Sequence, residues 1–175
     1  MDFKIARKNM VENQIRANKV TSLNVVNAFL DVPREKFVPT ALQAISYVDE
    51  DIQLSRNRFM MKPMILARLF QSLNLKGNEN ILHVGSNSGY GSAILSRMCS
   101  SVISLESDKK LFETSIHTFS NMGFDNVVPL HGSMENGVEK EAPFDIIFIE
   151  GSIETEPNGL FTQLNNNGKL IAIIR

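Results

Sequence analysis

The chain has 175 residues, 43% of them hydrophobic and 21% charged, with a formal net charge of -1. That length suits one domain with a sizeable core, and the balanced charge excludes the strongly basic footprint of a dedicated nucleic-acid binder. No apolar run reaches the length of a membrane span, the opening MDFKIARKNM lacks the apolar middle of a signal peptide, and the lone Cys99 cannot form an internal disulfide, so the expected setting is cytoplasmic.

The first part of the chain reads as helical. Arg7 to Asn18 is rich in helix formers, with Met10, Ile15 and Ala17 among polar neighbours. Thr21 is placed to cap a second helix. That helix carries Leu23, Val26 and Leu30 near helical period and should end before Pro33. A short helical stretch is expected over Thr40 to Ser46. The segment DIQLSRNRFMMKP has no clear period and reads as a loop or a short extended piece.

Pro63 suits the first turn of the next helix, where its missing N–H costs nothing. Met64, Leu66, Leu69, Phe70 and Leu73 give that helix an apolar face, and Lys76-Gly77-Asn78 closes it. From Asn80 the rhythm changes. Apolar strands recur at ILHV, SVISL, NVVPL, FDIIFI and KLIAII, with helical stretches over Tyr90 to Met98 and Lys109 to Asn121. Alternating strands and helices imply crossover units and a mostly parallel sheet. One small helix is expected around Leu160 to Asn165. We divide the single domain, residues 1–175, into an N-terminal helical and loop region, 1–62, and a parallel-sheet core, 63–175. The fifth strand would be a bare edge, and bare edges are normally managed. The expectation is that further C-terminal strands lie outside this chain, with a second copy or the N-terminal helices as the alternative covers.

The stretch ILHVGSNSGYGSAIL puts Gly85, Gly89 and Gly91 just after a strand and at the start of a helix. Gly85 permits a sharp turn and a close approach to a ligand. Gly89 should keep the helix start open to electron-rich groups. The spacing is G-x-x-x-G-x-G, not the dinucleotide pattern G-x-G-x-x-G, and no phosphate-loop lysine is present. Glu106 ends the next strand, 21 positions after Gly85, where an acid can accept hydrogen bonds from ribose hydroxyls. Together these features point to a cofactor site without naming the cofactor. The three histidines, His83, His117 and His131, show no metal-ligand spacing with Cys99, so no metal site is expected.

Taken together, MVENQIRANKV, VPREKFVP, Tyr47 with Asp49, the glycine loop, Glu106, MGFDNVVPLHG, APFDIIFI and LNNNGKLIAI resemble the protein-L-isoaspartate (D-aspartate) O-methyltransferases along nearly the whole chain. VPREKFVP is specific to that family, whereas the glycine loop is shared widely among methyltransferases. The resemblance implies an α/β, Rossmann-like, three-layer S-adenosylmethionine-dependent methyltransferase fold with N-terminal helices, its sheet lacking the C-terminal strands. It implies methyl transfer to a side-chain carboxylate of a protein or peptide substrate, with no nucleic acid and no membrane involved. It also implies that Gly85, Ser86, Asn87, Ser88 and Gly89 hold the methionine end of S-adenosylmethionine, Glu106 its ribose, and Gly132 and Ser133 its adenine.

The sequence departs from the family at several of these places. His83 stands where the family has an acid, Asn87 where it has a glycine, and Ser133 where it commonly has an acid. The family's hydroxyl-bearing Gly-Gln-Thr-Ile-Ser segment is replaced by Asn57, Arg58, Phe59, Met60 and Met61, so no catalytic residue is assigned. Ser55 lies two residues out of place, and Arg56 and Arg58 read as a solvated loop. Glu150 falls where small residues are usual and places an anion near the site of an anionic substrate. Two readings follow: an S-adenosylmethionine-dependent methyltransferase whose activity is reduced or lost, and a non-catalytic binding or assembly module on the same fold.

Overall fold

The computed structural model describes residues 1–175. Helix α1 spans Phe3–Met10, and the Asp2 side chain caps it by accepting from the Lys4 and Ile5 amides at 2.9 and 3.2 Å. The expected helix over residues 7–18 is not uniform. It widens to a π turn over Val11–Ile15 and tightens to a 3-10 turn over Arg16–Asn18. Val11 and Ile15 both end up fully buried.

Helix α2, Leu23–Asp31, stops before Pro33 as expected. Its cap differs from expectation. Ser22 is the N-cap, with no side-chain capping bond. Gln71 anchors the chain just ahead of the helix instead, its Oε1 accepting from the Thr21 and Ser22 amides at 2.7 and 2.9 Å. A residue some fifty positions away is invisible to a local capping rule. Residues Thr40–Ile45 form a 3-10 helix.

The aperiodic segment after it is an antiparallel hairpin of β1 (Ile52–Ser55) and β2 (Arg58–Met60). Helix α3, Pro63–Leu73, opens on its proline and buries Leu66, Ala67, Phe70 and Leu73. There follow β3 (Asn80–Val84), α4 (Tyr90–Ser96), β4 (Ser101–Glu106), α5 (Lys109–Met122), β5 (Val127–His131), β6 (Phe144–Ile153), α6 (Asn158–Phe161) and β7 (Leu164–Ile174). The small helix therefore starts two residues before the expected Leu160–Asn165 window and overlaps it only at Leu160 and Phe161. The asparagine run joins β7, with Asn167 at φ 66 beside a register shift against β6.

The five long strands form one parallel sheet in the order β5-β4-β3-β6-β7. The chain steps outward from β3 to β5, then returns to the other side of β3 as β6. The β3/β6 boundary is thus the switch point, where open sheets bind ligands beyond their strands' carboxyl ends. β7 is an edge, as expected.

Side chains alternate across the sheet. Ile81, Val102, Val127, Ile146 and Phe148 join the N-terminal region, α3, α4 and α5 in a cluster of 32 buried residues. Leu82, Val84, Ile103, Leu105, Ile147 and Ile149 face the other way, over a smaller cluster that draws Leu160 from α6. The layer on that second face is thin, because α6 is only four residues long. No helix is long and apolar enough to cross a membrane.

Candidate cofactor and substrate site

β3 ends in a turn built on Gly85 at φ 74. The amides of Gly85 and Ser86 both donate to Leu105 O, at 2.9 and 3.1 Å, which ties the turn to β4. A Cβ on Gly85 would sit 3.0 Å from Glu150 O, 3.2 Å from Arg58 Nη2 and 3.4 Å from Met134 Sδ. The missing side chain keeps this stretch of backbone bare at the edge of a cavity of about 1270 Å³.

Asn87 takes the left-handed conformation at φ 55, which asparagine tolerates better than most residues. Its Nδ2 donates to Gly85 O at 3.1 Å, and its Oδ1 is buried without a partner. Gly85 and Asn87 line the cavity; Ser86, Ser88 and Gly89 do not. Ser86 Oγ turns to Leu105 O, and Ser88 Oγ to Phe37 O. Gly89 is not open either. A Cβ there would lie 2.4 Å from Phe119 Cζ, so this glycine, at φ 94, exists to let α5 pack against the helix start.

Glu106 is fully buried at the end of β4. Its Oε1 accepts from the Ser107 and Asp108 amides, each at 2.8 Å. Its Oε2 accepts from the Asn87 amide at 2.7 Å and from Arg58 Nη2 at 2.6 Å. Three backbone donors hold the carboxylate in place, and the fourth contact comes from the hairpin.

That hairpin carries the replaced loop. Asn57, Arg58, Phe59 and Met61 line the cavity, while Met60 is buried in the main core. Arg58 is not a solvated loop residue. Its side chain is 18% exposed and reaches across to Glu106, whereas Arg56 is exposed. Ser55 is diverted from the cavity, its Oγ donating to Asp108 Oδ2 at 3.0 Å. The Leu111 amide at the start of α5, with help from Ser55, holds the Asp108 carboxyl below its ordinary range.

Glu150, near the middle of β6, turns inward and is 5% exposed. Its Oε2 lies 3.0 Å from His83 Nε2, and its Oε1 3.4 Å from Asn87 Nδ2. His83 Nδ1 lies 2.7 Å from Ser92 Oγ, which donates to Ser104 Oγ at 2.8 Å. The departures at 83 and 87 therefore both touch the one at 150. The Glu150 charge is not presented freely to an incoming carboxylate, as the sequence suggested.

Gly132 and Ser133 follow β5. The Gly132 amide donates to Glu106 O at 3.1 Å, and Ser133 is exposed; neither lines the cavity. Met134 and Glu135 line it instead, with a wall from Gly151 to Leu160 that sequence reading missed. Arg34 was missed as well. It is fully buried, donates to Ser46 O and Met61 O at 2.7 and 3.0 Å, and stacks over the Tyr90 ring. Burial lowers its pKa, opposed by Tyr90 and Glu150. The signal for it was the VPREKFVP stretch.

Among charged side chains lining the cavity, Asp51, Glu135, Glu150, Glu154 and Glu156 outnumber Arg58, Lys62 and Arg175. Such an excess favours a cationic ligand. The bare Gly85 backbone and the orphaned Asn87 Oδ1 border the cavity and suit S-adenosylmethionine; the fully buried Glu106 carboxylate does not line it, and would meet a ribose only where Arg58 is displaced.

The family model for protein-L-isoaspartate(D-aspartate) O-methyltransferase matches residues 5–175. The chain is 33% identical over 165 residues to protein-L-isoaspartate O-methyltransferase 2 of Anaeromyxobacter sp. (strain Fw109-5), covering 94% of this chain and 68% of that relative. A solved protein-L-isoaspartate O-methyltransferase superposes with a TM-score of 0.84 at 26% identity over 96% of this chain, which spans 55% of that protein's length. A putative protein-L-isoaspartate O-methyltransferase from Plasmodium falciparum, solved in complex with S-adenosyl-L-homocysteine, gives a TM-score of 0.82 at 26% identity, with 100% of this chain and 85% of that one covered. The fold is that of the Rossmann-like methyltransferases.

Proposed function

Because the chain belongs to the protein-L-isoaspartate (D-aspartate) O-methyltransferase family, we propose that it binds S-adenosylmethionine and methylates the side-chain carboxylate of isoaspartyl residues in proteins or peptides. The observation that carries this reading is the pairing of the bare Gly85 turn with the buried Glu106 carboxylate at adjacent strand ends. The two are joined through the Asn87 amide. When bound, the cofactor supplies an electrophilic methyl group on a sulfonium, and the substrate carboxylate needs no base to become a nucleophile. The protein's task is alignment. Glu106 holds the ribose, Gly85 allows close passage of the chain, and Asn87 orders the turn.

Alignment of the substrate is where this chain differs. None of Asn57, Arg58, Phe59, Met60 and Met61 offers a hydroxyl to the reacting carboxylate. Arg58 and Lys62 are the cations at that side of the cavity able to hold one. A long, flexible side chain loses more rotamer freedom on being fixed than a short hydroxyl on a loop. Misplacement by about 1 Å costs roughly 100-fold, so we expect slow turnover rather than none.

The second reading, a non-catalytic module, is favoured by one observation: Arg58 already sits on the Glu106 oxygen that a ribose hydroxyl needs. Calorimetry with S-adenosylhomocysteine, followed by methyl transfer to an isoaspartyl peptide, separates the two. Binding with turnover supports the enzyme. Binding without turnover, or no heat up to millimolar ligand, supports the module.

A further inference from the structure

We propose that Glu150 is the group in this chain that receives the ammonium of the cofactor's amino-acid end, across the switch point from Glu106. The proposal rests on the cofactor reading above and adds to it a binding residue on β6.

The strand order gives the direction. Glu106 ends β4, Gly85 follows β3, Glu150 lies on β6, and β5 is on the far side of β4. A ribose at Glu106 has one substituent on each side. One points toward β5 and the segment after it. The other would cross the bare Gly85 turn toward β6. Gly85 is where backbone, not side chain, borders the cavity, so an aliphatic end passing there would arrive beside Glu150.

Glu150 has the chemistry to meet a cation. It lines the cavity yet is 5% exposed, so its charge is little screened. A carboxylate has about four lone-pair sites. One accepts from Asn87 Nδ2 at 3.4 Å, a long contact. Oε2 lies 3.0 Å from His83 Nε2 and is paired with it. A Cβ on Gly91 would come within 2.5 Å of Oε2, so that oxygen is fixed inward, leaving Oε1 beside Asn87 as the ligand-facing one. The orphaned Asn87 Oδ1 adds a second acceptor at the same place. The group that completes this arrangement is a small cation with several N–H donors.

The test dissects the ligand. Calorimetry is run on wild type and Glu150→Gln with S-adenosylhomocysteine, which carries the ammonium, and with methylthioadenosine, which keeps the nucleoside and lacks the amino-acid end. The expected result is a loss of about 10- to 100-fold for S-adenosylhomocysteine and less than twofold for methylthioadenosine. Equal losses for both ligands, or no loss for either, overturn the assignment while leaving the cofactor reading intact. A wild type that binds neither ligand overturns both. If Glu150→Gln does not fold, wild type alone decides with the deamino analogue of S-adenosylhomocysteine. At least tenfold weaker binding than the parent supports the assignment, and equal affinity sinks it.

Discussion

Arg58 Nη2 lies 2.6 Å from Glu106 Oε2 and joins the tip of the β1–β2 hairpin to the carboxyl end of β4. The carboxylate does not depend on that contact for its position, since three backbone amides already hold it. Arg58 therefore acts as a removable occupant. Replacing it with alanine frees one acceptor without loosening Glu106. A charge-assisted hydrogen bond contributes about 1.5 kcal/mol, so Arg58→Ala should bind S-adenosylhomocysteine roughly tenfold more tightly by calorimetry. Weaker binding would mean that Arg58 touches the ligand rather than competing with it.

Glu106→Gln should behave in the opposite way. It places an NH₂ group where three amides and an arginine converge as donors. At least one donor is then left without an acceptor in a fully buried site, at a cost of about 1–3 kcal/mol. The expected outcome is a lower urea midpoint together with at least tenfold weaker binding of both S-adenosylhomocysteine and methylthioadenosine. A loss confined to one ligand would argue that Glu106 does not face the nucleoside.

Gly85 and Gly89 look equivalent in the sequence and should separate on mutation. Gly89→Ala drives a methyl to within 2.4 Å of Phe119 Cζ at φ 94, which should lower stability by at least ~2 kcal/mol. Gly85→Ala, at φ 74, meets the Glu150 carbonyl oxygen at 3.0 Å and the end of Arg58 at 3.2 Å, a looser fit than at Gly89. Its cost in stability should be smaller and its effect on cofactor affinity larger. Thermal unfolding and calorimetry on the two variants give the comparison directly.

The contrast shows what the sequence could reveal. Strand periodicity placed every strand of the main sheet, because buried parallel strands are near-continuous apolar runs. Helix α3 was legible from Pro63 and its apolar spacing. The hairpin was not, because IQLS and RFM are too short for any period. The split fate of the glycine loop was equally hidden. Whether a glycine faces a cavity or Phe119 depends on which element packs there. The contact among His83, Asn87 and Glu150 unites residues up to 67 positions apart, and each alone read as an isolated departure.

Asp108 offers a pH prediction. Its carboxyl is held low chiefly by the Leu111 amide, so the native state favours the ionised form. Its contribution to stability is present above the unfolded carboxylate value near 4 and is lost as pH falls through the lower folded value. Asp108→Ala should cost about 1 kcal/mol at neutral pH, as for other N-caps. The gap between variant and wild type should shrink as the pH drops below about 4. Urea titrations at pH 7 and pH 3 would show it, and a gap unchanged at pH 3 would contradict the capping role.

Cys99 tests the core beside α4. Burial raises its thiol to about 12, with Glu79 adding to the shift and a hydrogen bond to the Ser101 carbonyl present. The thiolate is the reactive form. At pH 8 only about one molecule in ten thousand carries it, and the side chain is buried. Iodoacetamide should therefore leave the native protein unmodified over hours at pH 8 and label it fully in denaturant. Rapid native labelling would mean that the Met98–Ser101 segment opens readily.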